Sequence, residues 1–179
     1  MLKKRRIQKM TVKEFVKWIY PAAKSGEISP VFVTAQAALE SGWGKSAIGN
    51  NLFGITKGSS WTGAVQLVNT TEYFSRPDVT FKAPEKVLSV TKINDKRYKY
   101  SVRRFFRDYE SASECLDDHL AILKKPGYAD AWPYRDDARK FTEYIVNDIG
   151  PKYATAPNYY TEMCKVIAMV EKVVKEERL

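Results

Sequence analysis

The stretch Ser29–Ile55, SPVFVTAQAALESGWGKSAIGNNLFGI, decides how the rest of the chain is read. Ser29 before Pro30 is an N-cap followed by proline at the first helical position, and Gly42 is the residue expected just past a helix end. Between them, the only polar side chains are Thr34, Gln36, Glu40 and Ser41. Val31, Ala35, Ala38 and Leu39 share one side of the wheel, and Val33 and Ala37 flank Glu40 on the other. A helix apolar on most sides is a buried helix. Glu40 is then a lone acid in an apolar setting, placed in the last turn. Partial desolvation and the negative end of the helix both disfavour its carboxylate and raise its pKa. An acid so placed can stay protonated near neutral pH and serve as a proton donor. The plainer alternative is a buried acid paired with a lysine or arginine. Trp43, between Gly42 and Gly44, leaves the helix on a tight turn.

The flanking sequence divides into helical and β-prone parts. Thr11-Val12-Lys13-Glu14 has the form of a capping box, and Val12, Phe15, Val16 and Ile19 follow at helical spacing to about Lys24, with Ser25-Gly26 as the stop. From Trp61 to Phe106 the pattern turns β-prone around Val65 to Thr71, Lys86 to Thr91 and Arg97 to Phe106. Ile93-Asn94-Asp95-Lys96 supplies a turn, and Tyr98, Tyr100 and Val102 alternate with Lys99, Ser101 and Arg103. Helices resume at Ser111, where Ser111 and Glu114 suggest a second capping box. Ala112, Cys115, Leu116, His119, Leu120 and Leu123 share a face, so His119 reads as a core histidine. Asp136 or Asp137 starts a further helix, stopped by Gly150-Pro151. Asn158 starts the last, with Tyr159, Met163, Val166, Ile167, Val170, Val173 and Val174 at core spacing. The sum is a predominantly α, α+β domain over residues 11–179. A small antiparallel β lobe, about 61–106, is inserted between its helical parts, and residues 1–10 form a basic tail.

At 179 residues and 44% apolar content the chain can bury one sizeable core. No run approaches the roughly 18 apolar residues of a membrane span. The basic start MLKKRRIQKM lacks a following apolar stretch and does not read as a secretory signal. Cys115 and Cys164 are too few for a disulfide framework, have no partners at metal spacing, and read as buried free thiols. No metal or cofactor is expected. The net charge of +9 suggests a polyanionic partner, either nucleic acid, an anionic membrane or a cell wall. No nucleic-acid motif is present and the charges look scattered, so nucleic acid is not the expected partner.

AQAALESGWGKS followed by NNLFGI resembles the signature of the glucosaminidase family of peptidoglycan hydrolases, glycoside hydrolase family 73. The similarity continues through TTEYF (Thr70–Phe74), RFFRDYESASECLDDHLAIL (Arg104–Leu123), PGYADAW and KYATAPNYY, so it covers most of Ser29–Tyr160. Against this family, Arg76–Ser101 looks long, an exposed hairpin rich in lysine. The resemblance implies a lysozyme-like fold and cleavage of the β-1,4 bond between N-acetylglucosamine and N-acetylmuramic acid. Muramidase specificity is the second choice, and a catalytically silent wall-binding module of the same fold is the alternative.

Within that family Glu40 is the proton donor. Glu72 in TTEY is the candidate second carboxylate, although composition alone would make it an exposed strand-end glutamate; Asp78 is a weaker substitute. Separations of about 5 Å and of roughly 6.5–9.5 Å would imply retaining and inverting chemistry, and the substrate's own acetamido group offers a third route. Tyr153 in KYATAP resembles the tyrosine that assists this third route, with Ala156 standing where the family usually has aspartate. Sugar rings are gripped by aromatic faces, for which Tyr73, Tyr128 and Trp132 are the candidates, then Trp43 and Trp61. The implied partner is a peptidoglycan glycan strand, met by a monomer acting on the bacterial cell wall. Without an export signal, a phage or prophage lysin or a domain cut from a larger exported protein would fit.

Overall fold

The computed structural model describes residues 10–147 and 158–179. The chain divides into two compact units: a sheet unit, Ile55–Asp108, and a helical unit made of the stretches before and after it. The basic tail up to Lys9 and Tyr153 both lie outside the described residues.

In the helical unit, α1 (Val12–Ala23) opens on the expected reciprocal cap, in which Thr11 accepts from the Glu14 amide and the Glu14 carboxylate accepts from the Thr11 amide at 2.7 Å. The second helix, α2 (Pro30–Ser41), is capped by Ser29 and closed by Gly42 at φ +56°, as the sequence requires. Every residue from Phe32 to Ala38 is buried, and α2 lies against α1, α4 and α5, so it is the core of this unit. Phe32 and Phe141 meet edge to face at 4.8 Å, both fully buried. Sealing two such rings from water contributes about 1.5–3 kcal/mol each.

Helix α3 (Ala112–Leu123) buries Ala112, Cys115, Leu116, His119 and Leu123. Its cap departs from the expected box. Ser111 accepts from the Glu114 amide, but the Glu114 carboxylate accepts from the Glu110 amide, one residue earlier than a reciprocal box needs. A 3-10 helix (Pro126–Tyr134) follows in a stretch without a helical period. Asp137 then caps α4 (Ala138–Asn147), accepting from the Arg139 and Lys140 amides at 3.0 Å. Asn158 precedes α5 (Tyr159–Glu177) without a side-chain cap bond. Cys115 is buried as expected, whereas Cys164 is only partly so, because α5 buries the stripe through Met163, Val166, Ile167 and Val170 and turns Cys164 to its margin.

The sheet unit holds β1 (Val65–Phe74), β2 (Lys86–Asn94) and β3 (Arg97–Arg107), all antiparallel, in the order β1-β3-β2. Strand alternation sorts its residues. One face carries Glu72, Tyr100, Val102, Arg104 and Phe106, and the other Asn69, Thr71, Tyr73, Lys99, Ser101, Arg103 and Phe105. Tyr100 and Val102 are fully buried, so the first face is the packed one. The Tyr100 hydroxyl donates to the Arg76 carbonyl at 2.8 Å and accepts from the Val79 amide, which ties the segment after β1 back to the central strand.

Candidate active site

Gln36 and Glu40 stand one helical turn apart on α2, on the side that meets the first residue of α5. The Tyr159 hydroxyl donates to Glu40 Oε1 at 2.9 Å, and Gln36 Nε2 donates to the same hydroxyl at 3.1 Å. Gln36 is fully buried and Tyr159 nearly so. With Gln36 filling its acceptor site, the phenol has its proton left for Glu40. The chain Gln36–Tyr159–Glu40 thus runs in one direction from the core to the surface.

Glu40 keeps a solvent-exposed face, yet protein atoms crowd its carboxyl closely enough that burial is the dominant influence on its titration. Burial raises its pKa above the usual carboxylate value, and the Tyr159 hydrogen bond pulls it partly back. Tyr159 itself is pushed up, first by burial and then by the Glu40 charge, so it stays a phenol and a donor. Among the described residues the partner of Glu40 is a neutral phenol, not the cation of the alternative reading. Access on one side and a partly dry setting on the other are what a proton donor needs.

The turn after α2 is built to end it abruptly. Ser41 donates to the Ala37 carbonyl at 2.6 Å and accepts from the Gly44 amide at 2.9 Å. Trp43 follows Gly42 into the left-handed region at φ +58°, unusual for a bulky side chain. Its ring meets Phe15 of α1 edge to face at 5.7 Å. Trp43 therefore anchors the turn that carries Glu40.

Glu72 lies on β1, half-buried, in the sheet unit. Both of its carboxylate oxygens accept from Arg104 Nη1 at 3.0 Å, while Arg104 Nε donates to Glu85 Oε1 at 3.1 Å. The Phe105 amide donates to the same Glu85 oxygen at 2.8 Å, and the Arg104 guanidinium lies over the Phe81 ring at 4.4 Å. A carboxylate has about four lone-pair sites, so Glu72 keeps acceptor capacity beyond Arg104. Asp78 is exposed and faces Arg76 at 3.7 Å.

The candidate glycan-gripping aromatics are dispersed. Tyr73 lies on the face of the sheet opposite to Glu72, with Arg97 over its ring at 4.4 Å. Trp61 donates to the Ala64 carbonyl and carries Arg107 over its ring at 4.7 Å. Trp132 donates to the Leu123 carbonyl at 2.8 Å, which fixes it beside Phe141. Tyr128, on the same 3-10 helix, is half-buried. His119 is sealed in the core, stacked on Phe53 at 3.7 Å, and burial pushes it down to about 3. Burial likewise pushes the Cys115 thiol up to about 12, so it is unreactive.

Sequence reasoning placed Tyr159 in the core, as found, but missed that it and Gln36 form the hydrogen-bond chain to Glu40. Gln36 is one turn from Glu40, a signal available in the sequence; the approach of Tyr159 across 119 positions of chain is not.

A mostly helical unit built around one buried helix, with a three-stranded antiparallel sheet inserted in its sequence, defines a lysozyme-like glycoside hydrolase fold. The C-terminally truncated glycoside hydrolase domain of Salmonella typhimurium FlgJ matches with a TM-score of 0.65 at 29% identity, over 90% of this chain and 99% of that one. A peptidoglycan hydrolase mutant from Sphingomonas sp. A1 matches with a TM-score of 0.64, also at 29% identity, over 92% and 99%. The model of the family described as mannosyl-glycoprotein endo-beta-N-acetylglucosaminidase matches residues 16–172, and the chain belongs to this glucosaminidase family. Among curated relatives, "Peptidoglycan hydrolase FlgJ" of Salmonella typhimurium is 34% identical over 170 residues, 87% of this chain and 46% of that protein. The "Probable N-acetylmuramidase" of Lactococcus lactis subsp. lactis is 30% identical over 158 residues, 83% of this chain and 30% of that protein. The chain thus spans half or less of the length of these relatives.

Proposed function

We propose that this chain hydrolyses the glycan strands of peptidoglycan at the β-1,4 bond between N-acetylglucosamine and N-acetylmuramic acid, with Glu40 as the general acid. The observation that carries the reading is the setting of Glu40: an accessible carboxyl, raised by burial, steadied by a phenol that the protein holds as a donor. Protonated, Glu40 delivers its proton to the leaving glycosidic oxygen as the C–O bond breaks. It regains a proton from the water that completes hydrolysis. Glu72 is the proposed second carboxylate, positioned by Arg104 and with lone pairs left to engage water. Where the substrate's acetamido group attacks the anomeric carbon instead, Tyr153 is the group assigned to orient it. Tyr73, Tyr128 and Trp132 remain the aromatic faces assigned to the glycan, then Trp43 and Trp61.

Glucosaminidase chemistry is preferred over muramidase chemistry because the matching family model carries that description, whereas one relative carries the name N-acetylmuramidase. Product analysis separates the two. Purified peptidoglycan is digested by wild type and by Glu40→Gln, then reduced with borohydride. Fragments ending in reduced glucosamine, lowered by about 10²–10⁴ in the variant, are the expected result. Ends carrying reduced muramic acid would keep Glu40 as the acid and make the enzyme a muramidase. No new ends from the wild type would refute hydrolysis and leave a glycan-binding module.

A further inference from the structure

The basic balance of the chain is not scattered. From Ile55 to Asp108 there are eleven Lys or Arg against five Asp or Glu, whereas the whole chain has 30 against 21. The sheet unit therefore carries six of the nine excess charges in less than a third of the length.

Register then sorts these charges onto one face. On the open face, opposite to Glu72, β3 presents Arg97, Lys99, Arg103 and Arg107, and β2 adds Lys86 beside Arg103. None of the five acids occupies an outward position there. Glu72 and Glu85 bind Arg104 of the packed face, Asp78 faces Arg76, Asp95 pairs with Lys92 in the hairpin, and Asp108 accepts from Gln66. Asn69, Thr71, Ser89, Thr91 and Ser101 add hydroxyl and amide side chains to this face, while Val65, Leu67 and Phe105 make its end beside Arg107 apolar.

The aromatic rings at this face hold cations. Arg97 lies over Tyr73 at 4.4 Å, Arg107 over Trp61 at 4.7 Å, and Lys57 over Phe105 at 5.8 Å. Arg103 donates to Asn69 Oδ1 at 2.9 Å. Cations fixed before a ligand arrives lose less side-chain entropy on binding. Rings already capped by guanidinium groups offer little of the stacking platform that single-stranded nucleic acids require. No helix or two-stranded ribbon projects from the face to enter a duplex groove.

We infer that the open face of this sheet is a docking surface for a phosphodiester-linked polyol polymer of the kind attached to cell walls. The repeating phosphates meet the cation rows and the polyol hydroxyls meet the Asn, Ser and Thr side chains. The surface serves to hold the protein on its substrate and lies on the opposite side of the strands from Glu72.

The test is binding of purified polyglycerol phosphate to the full chain at about 0.15 M salt, where surface charges more than about 8 Å apart are largely screened. The polymer has no glycosidic bond, so the outcome does not depend on the hydrolytic reading. Lys86→Gln with Lys99→Gln removes two charges from the face. Lys165→Gln with Lys172→Gln removes two from α5, and circular dichroism checks that both variants fold. The expected result is a Kd at least tenfold weaker for the face variant, with less than twofold change for the control. Its salt dependence should also be shallower, by up to about 0.7–0.9 in log–log slope for each lost contact. Equal effects of the two variants would overturn the proposal. So would duplex DNA or phosphatidylglycerol vesicles binding the same face as tightly as the polymer does.

Discussion

Two partly exposed glutamates, one in each unit, have opposite partners. Glu40 sits at the end of a helix buried on nearly every side and is met by the Tyr159 phenol. Glu72 sits on a strand of a charge-rich sheet and is met by the Arg104 guanidinium, which also holds Glu85. A phenol gives a carboxyl one hydrogen bond and no charge, so burial can still raise its pKa. A guanidinium gives a carboxylate its counter-charge and two donors in fixed geometry. The difference suits the two carboxyl groups to the two different tasks proposed for them.

The largest effect that would break this contrast is expected at Arg104. Arg104→Met would leave Glu72 and Glu85, each only about one-fifth exposed, without their shared cation. Stranding a buried charge costs 3–5 kcal/mol, and the partial exposure here brings the expectation to about 2–3 kcal/mol. Hydrogen exchange should show the loss in the β1 and β3 amides, with the α2 amides less affected. Arg104→Lys should recover only part of it, since one ammonium cannot replace both arms of the fork. Unchanged exchange in β1 would mean that Glu72 is solvated like any surface glutamate, and the contrast would fail.

Next in size is Tyr159→Phe. It leaves the buried Gln36 amide without its acceptor, a cost of about 1–3 kcal/mol. It also removes the one hydrogen bond that lowers the Glu40 pKa. A general acid works while protonated, so activity falls as pH rises through its pKa. In Tyr159→Phe that alkaline limb should move to higher pH, while a purely structural role for the phenol would lower the rate equally at every pH. Reducing-end release measured from pH 4 to 9 distinguishes the two.

Much of the contrast was legible in the sequence, and what was missing has a physical reason. The caps at Thr11 and Ser29, the αL exit at Gly42 and the strand alternation around Tyr100 are local, set by neighbours within a few residues. So was the apolar surround of Glu40. The partners of both glutamates were not legible, because Tyr159 and Arg104 reach them through tertiary packing and strand register. The 3-10 helix through Pro126–Tyr134 has no local signal for a related reason: Pro126, Gly127 and Pro133 break any helical period, and tertiary anchors such as the Trp132–Leu123 bond help to hold the turn. Charge placement was misread as scatter, since only the register shows that alternate basic residues share a face.

A smaller effect is expected at Gly42→Ala. The space beside Gly42 is open, with Ser46 Oγ at 3.7 Å from where a Cβ would stand, so the cost is that of φ +56° alone. About 1–2 kcal/mol should be lost in denaturant unfolding, with no change in the pH profile.

The smallest expected effect is also the sharpest on Glu40 itself. A carboxyl whose folded pKa lies above its unfolded value favours the folded state fully below the unfolded pKa, and that contribution is lost as pH rises through the folded pKa. Wild type therefore carries a penalty at neutral and alkaline pH that the neutral isostere Glu40→Gln does not. The glutamine keeps an oxygen for the Tyr159 hydroxyl, so the hydrogen bond survives the exchange. Melting curves should then place Glu40→Gln slightly above wild type at pH 8 and level with it at pH 4, even as the variant loses hydrolysis. A variant less stable than wild type at pH 8 would show that the Glu40 carboxylate is favoured by the fold, against the proton-donor role proposed for it.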